Sequence, residues 1–131
     1  MKTKTILIVG AVFMFTAVVL GALGAHALQS KLSAEALVSF KTGVRYQAWH
    51  GLALLFVGLG MAKKTFKAAK AVAWLFMIGT LLFSVSIYFL STQNILGLNL
   101  KWLGPITPVG GLLLIAGWGL LILKIARQKH L

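Results

Sequence analysis

Four stretches of this chain contain no Asp, Glu, Lys or Arg: Thr5–Leu28, Tyr46–Ala62, Ala71–Thr92 and Trp102–Leu123. A helix needs roughly 20 apolar residues to cross about 30 Å of hydrocarbon. Three of the stretches have that length, and Tyr46–Ala62 gains it if its helix begins earlier. Backbone polar groups in lipid must satisfy one another within the segment, so such stretches become helices. Only 11% of the residues are charged, against about 25% for a soluble domain. The expected fold is an all-α integral membrane protein: one domain, residues 1–131, folded as a four-transmembrane-helix bundle. The spans are expected at 5–28, 43–62, 71–92 and 103–124.

Between the apolar stretches the charge is almost all positive. Thirteen Lys and Arg face a single acid, Glu35, for a net charge of +12. Such a balance in a soluble protein suggests nucleic-acid binding, but no room remains here for a folded nucleic-acid module. The basic residues stand beside the spans, where they set topology and meet anionic lipid headgroups. Membrane lipids are therefore the expected partners, and nucleic acid is not. Four crossings put Lys2, Lys4, Lys63, Lys64, Lys67, Lys70, Lys124, Arg127 and Lys129 on one side, and Lys31, Lys41, Arg45 and Lys101 on the other. The positive-inside rule then makes the chain a multi-pass cell-membrane protein with both termini cytoplasmic. The first stretch also imitates a signal peptide, ending in Ala25-His26-Ala27, but Ile6–Leu23 exceeds the usual apolar core of such leaders. It is expected to stay as a helix. Cysteine is absent, which removes disulfides and thiolate chemistry.

The connections carry local signals. Ser33 can cap a helix with Glu35 in its first turn. Leu37, Phe40 and Val44 then form an apolar stripe. A short amphipathic surface segment before the second span, bending near Gly43, is expected. Asn94, Gly97 and Asn99 form turns, and Pro105 and Pro108 mark the fourth helix start. Ala17, Gly21 and Ala25 are spaced by four, while Gly51 and Gly58, Gly104 and Gly111, and Gly110 and Gly117 are spaced by seven. Small residues at such intervals let helices approach closely in lipid.

The same topology gathers polar side chains. His26, Arg45, Tyr46, Gln47, His50, Ser84, Ser86, Tyr88 and Thr107 are all expected in the outer part of the bundle. Tyr46, Gln47 and His50 share a helix face by their i,i+3 and i,i+4 spacing. Trp49, Trp102 and Tyr88 also suit interface anchoring, and His26 and His50 suit inter-helix hydrogen bonds. No cofactor is expected, although two histidines on neighbouring helices are the pattern from which a haem or metal site could be built. Glu35 as sole carboxylate excludes carboxylate-pair chemistry. No nucleophile elbow or Walker loop is present. An enzyme is not expected.

Four motifs then resemble a known family. GALGAHAL (21–28), TGVRYQAWHGLALL (42–55), LFSVSIYFL (82–90) and LGPITPVGG (103–111) are similar, in order and over nearly the whole chain, to domain-of-unknown-function 423, the YgdD/YwdK-like small bacterial membrane proteins. The resemblance implies a four-helix plasma-membrane protein and supplies no chemistry. Its motif residues fall on Gly21, Gly24, His26, Thr42, Arg45, Tyr46, Gln47, His50, Ser84, Tyr88, Pro105, Thr107, Pro108 and Gly110. Val85 stands where the family pattern has glycine, and Gly51 where it has alanine. The first departure predicts looser packing around Ser84–Tyr88.

The leading expectation is a non-enzymatic protein that binds a lipid headgroup or small amphiphile at the polar cluster, through His26, Arg45, Tyr46, Gln47, His50, Ser84, Tyr88 and Thr107. The alternatives are a small transport or channel component, a haem-binding electron carrier through His26 and His50, and an accessory subunit or homo-oligomer within a membrane complex.

Overall fold

The computed structural model describes residues 1–63, 66 and 69–128. Among these the chain is helical throughout its regular structure, with no strand. Its elements are α1 (Thr3–Ala25), α2 (Ala34–Ala62), α3 (Lys70–Thr80), a π-helical segment (Leu81–Val85), α4 (Ser86–Leu96), a 3-10 turn (Lys101–Leu103) and α5 (Ile106–Ala126). α3, the π segment and α4 run on as one rod, so the bundle has four long helices. Three of them, Thr3–Ala25, Lys70–Leu96 and Lys101–Ala126, are long and apolar enough to cross a membrane. α2 is longer still, but it carries Glu35, Lys41, Arg45, Gln47 and His50.

α1 buries Ile6, Gly10, Phe13, Ala17 and Gly24, a single stripe at helical spacing. Its other face, with Ile8, Val12, Phe15 and Val18, is uncovered. The stripe lies along α2 in antiparallel sense. Gly24 packs on Phe40, Gly10 on Gly51 and Leu55, and Gly58 on Leu7. Gly10 and Gly51 are necessary at this crossing. A Cβ on Gly10 would come within 2.9 Å of the Gly51 carbonyl oxygen, and one on Gly51 within 3.1 Å of Phe13 and Met14.

α2 begins where expected. Ser33 accepts from the Ala36 amide at 3.2 Å, and Glu35 sits in the first turn. The segment expected before the second span does run into it, but without a bend at Gly43. Ala34–Ala62 is instead one uninterrupted helix of 29 residues, about 43 Å long. Phe40 is buried against Gly24 of α1 and the Tyr88 ring, and Gly43 lies under Tyr88 and Ile87. Phe40 of the expected apolar stripe is therefore held inside the bundle, with Leu37 and Val44 half-buried beside it.

The far side of α2 packs on the α3–α4 rod, and α5 packs on the rod in turn. The centre is formed by Leu54 and Val57 of α2 with Val72, Ala73 and Phe76 of α3, joined by Ile6 and Leu114. α4 ends in a left-handed Gly97 (φ 64°), with the Leu98 amide bonded back to Gln93 O at 3.0 Å. That is a Schellman stop, as the Asn94–Asn99 composition predicts. Pro105 immediately precedes α5.

Of the small-residue repeats, Gly51 with Gly58 and Gly110 with Gly117 do bring helices together, but two other repeat members do not. A Cβ on Gly21 or Gly111 would meet only ordinary contacts, at 3.5 and 3.7 Å. Gly10 and Gly79, which no repeat singled out, are the tight positions on α1 and α3. Three of the nine basic residues in the topology argument, Lys64, Lys67 and Lys129, lie outside the described residues.

Candidate functional site

Gln47 is the hub of the polar residues. Buried on α2, it donates from Nε2 to Phe13 O at 2.9 Å and to Thr16 Oγ1 at 2.6 Å, both on α1. Its Oε1 accepts from the Tyr88 hydroxyl at 2.9 Å, on α4. Thr16 passes its own proton to Val12 O at 2.7 Å. One amide thus joins three helices with its two donor hydrogens and its carbonyl oxygen all used. In hydrocarbon an unpaired amide is costly, so this arrangement fixes the relative rotation of the helices.

Ser84 and Ser86 act similarly around the π segment. Ser84, fully buried, donates to Gly43 O at 2.8 Å, and Ser86 pairs with Thr107 of α5 at 2.6 Å. The looser packing expected from Val85 is not found. Val85 points outward at 36% exposure while its neighbours Ser84 and Ser86 are buried. A side chain at that position costs the interior nothing.

His50 is buried with both ring nitrogens used. Nδ1 lies 2.7 Å from Tyr46 O and therefore carries the proton; Nε2 accepts from Trp118 Nε1 at 3.0 Å. The ring also contacts Phe76 and Trp118 edge-on. His26 is elsewhere. It caps α1 and lies exposed beside Val18, Val19, Ala22, Leu23 and Ala27. Since Gly24 lies level with Phe40, His26 is about a dozen α2 residues from His50, roughly 18 Å along the axis. Two histidines so separated cannot share a haem or metal, and His50 has no free lone pair. The pairing of His26 with His50 is thus overturned by helix register.

Register also corrects the height of the cluster. α2 enters the bundle at Ala34, so His50 lies near its middle, level with Phe76 and Trp118, rather than at its outer end. Arg45 is exposed and has no hydrogen bond or ion pair among the described residues. Of the expected site residues, Tyr46, Gln47, His50, Ser84, Tyr88 and Thr107 belong to the bundle's interior contacts, whereas His26 and Arg45 stand apart.

Beside this network lies a groove between α2, the π segment and α5. It encloses about 490 Å³ and is lined by Tyr46, Trp49, His50, Phe83, Gly111, Leu114, Ile115 and Trp118. Tyr46 packs on Phe83 at 4.6 Å and on Trp49 at 5.3 Å between ring centroids. Trp49, Ile115 and Trp118 remain substantially exposed, so the groove opens sideways. The Tyr46 hydroxyl has no hydrogen-bond partner among the described residues. Phe83, Leu114 and Trp118 were missed from the sequence. Trp118, six residues before Lys124, carries no signal in the sequence that sets it apart from an interface-anchoring tryptophan.

Long apolar helices with uncovered outer faces and polar side chains turned onto one another define the class of this molecule: a helical membrane protein. The family model described as "Protein of unknown function (DUF423)" matches residues 20–111. The chain is 36% identical to UPF0382 membrane protein YwdK of Bacillus subtilis, covering 98% of this chain and 99% of that one. It is 34% identical to UPF0382 inner membrane protein YgdD of Escherichia coli K12, over 99% and 95%. A UPF0382 membrane protein of Staphylococcus epidermidis is 40% identical, over 96% and 97%. The chain belongs to this family of membrane proteins. No solved structure matches it.

Proposed function

We propose that the protein is a four-span, non-enzymatic protein of the cell membrane, with cytoplasmic termini, that holds the chain of a lipid or small amphiphile in the aromatic groove. The observation that carries this is the groove itself: an apolar, ring-walled cleft of about 490 Å³ opening sideways at mid-height. Small-molecule sites are typically concave and apolar with few polar groups. Here those groups are the unpaired Tyr46 hydroxyl and the exposed edge of Trp49. The Gln47, Ser84 and Ser86 hydrogen bonds join helices and support the groove walls from behind. This moves the expected ligand surface from the polar cluster to the face beside it.

Gly111→Leu tests this reading. A Cβ at Gly111 would stand 3.7 Å from the Phe83 ring, an ordinary contact, so the larger side chain extends into the groove without displacing backbone. Native mass spectrometry of the detergent-purified protein is expected to show a retained amphiphile whose occupancy falls about fivefold in the variant, a loss of roughly 1 kcal/mol. Equal adducts in both proteins, at unchanged thermal stability, would reject the groove as the binding surface.

A further inference from the structure

A second cleft, separate from the groove, lies at the end of the bundle opposite the termini. It encloses about 290 Å³ between the start of α2 and the end of α4, and is lined by Ser33, Glu35, Ala36, Ser39, Leu90, Ser91 and Gln93. Three of its oxygen-bearing groups are unspent. Glu35, the only acidic side chain in the sequence, makes no ion pair or hydrogen bond among the described residues, and the Ser39 hydroxyl makes none either. Ser91 is 9% exposed, and its hydroxyl is buried with no hydrogen-bond partner. The contrast with its neighbours is sharp: Ser84, Ser86, Thr92 and Thr107 all have hydrogen-bonded hydroxyls. A helical serine next to lipid can relieve its hydroxyl through the preceding turn. Ser91 does not, although Thr92 beside it donates to Tyr88 O at 2.7 Å.

We propose that this cleft binds a primary ammonium group. The charge comes from the Glu35 carboxylate and a second acceptor from the Ser39 hydroxyl one helical turn on. A turn of the Ser91 side chain toward the cleft brings its buried, unpartnered hydroxyl in as the third, matching the three N–H donors of R–NH3+. An anion is disfavoured because Glu35 already occupies the positive first turn of α2. A quaternary ammonium has no N–H to donate and depends on an aromatic cage, and no aromatic side chain lines the cleft. The cleft therefore separates ethanolamine from choline chemistry. The ammonium can come from a phospholipid headgroup or from a free amine, since the cleft sits at the end of the helices where headgroups lie.

The test uses the full chain in detergent, titrated with phosphatidylethanolamine and phosphatidylcholine of identical acyl chains and read by native mass spectrometry. A parallel arm adds free ethanolamine without the first lipid. The ethanolamine lipid is expected to be retained about fivefold more than the choline lipid, roughly the net worth of one typical hydrogen bond. Glu35→Gln should abolish that preference, and Ser91→Ala should reduce it. The Ser91 hydroxyl has no partner in the fold, so Ser91→Ala should leave thermal stability unchanged, and Glu35→Gln should lower it only by the small worth of one exposed charge in the first turn of α2. Gly111→Leu should leave the preference intact, which separates this cleft from the groove. Binding of free ethanolamine, sensitive to Glu35→Gln, would identify a soluble amine as the source; retention of the lipid alone would identify the headgroup. Equal retention of both lipids with no ethanolamine binding overturns the proposal, as does a preference that survives both substitutions.

Discussion

A side-chain amide in a membrane bundle succeeds only if its polar atoms find partners, and Gln47 shows how that is done. Its two donor hydrogens go to α1 and its carbonyl oxygen receives the Tyr88 proton from α4. Removing one partner leaves the other without an equivalent in hydrocarbon, so the pair should couple. Gln47→Met is expected to destabilise the protein by about 1–2 kcal/mol, within the range for inter-helix hydrogen bonds in membranes. Tyr88→Phe should cost less alone, and almost nothing when Gln47 is already Met. Unfolding of the two single variants and the double variant in mixed micelles checks this; additive losses would show that the Tyr88–Gln47 bond contributes nothing. The sequence made Tyr46, Gln47 and His50 visible as polar residues sharing a face. It hid their partners. Phe13 contributes a backbone carbonyl, which leaves no trace in residue identity, and Trp118 is 68 residues from His50.

The α3–α4 rod owes its role in the fold to the π segment at Leu81–Val85. A π turn holds one more residue than an α turn and so rotates α4 relative to α3, a device often found at functional positions in helices. Here it sends Ser84 toward Gly43 of α2 and Ser86 toward Thr107 of α5, on either side of the rod. It also brings backbone against backbone. A Cβ on Gly110 would overlap the Phe83 amide nitrogen and lie 2.9 Å from Gly79 O. Gly110→Ala should therefore lower stability by about 2 kcal/mol, the usual cost of forcing an atom into a filled interior. Gly111→Ala, one residue on, should be tolerated because its Cβ would only touch the Phe83 ring at 3.7 Å. Thermal unfolding of the two variants in the same detergent distinguishes them; equal midpoints would mean that α5 does not approach the rod so closely. Seven-residue glycine spacing announced Gly110 and Gly117 as contact points. It could not separate Gly110 from Gly111, because which glycine faces the rod depends on helix rotation. The π segment was illegible for a similar reason: LLFSV reads as ordinary helix, and only packing on both sides selects the wider turn.

At the scale of the whole molecule, the number of crossings turns on α2. Its polar residues keep it below the apolarity of the other three helices, yet its neighbours leave it little choice. α1 lies along it from Gly58 to Phe40, and Leu54 and Val57 are fully buried. If α1 spans the bilayer, a helix antiparallel to it over the same length must span too, with Gln47 and His50 turned inward where their hydrogen bonds are met. The four charge-free stretches made the helix count legible in the sequence. The cap of α2 at Ser33 was legible too, but the place of its first turns inside the bundle was not, because Glu35, Lys41 and Arg45 look like surface residues until Phe40 and Gly43 find their partners. Four crossings and three crossings differ in one measurable respect. The chain has no cysteine, so single-cysteine variants give an unambiguous background. Ser30→Cys before α2 and Asn99→Cys before α5 should react with a membrane-impermeant maleimide in intact cells. Lys2→Cys and Lys63→Cys should react only after permeabilisation, as the excess of basic residues on that side requires. If α2 instead lay along the surface, Ser30→Cys and Lys63→Cys would label together under one condition. A reversed orientation would exchange the two pairs while keeping them apart, so a single set of four variants separates the number of crossings from their direction.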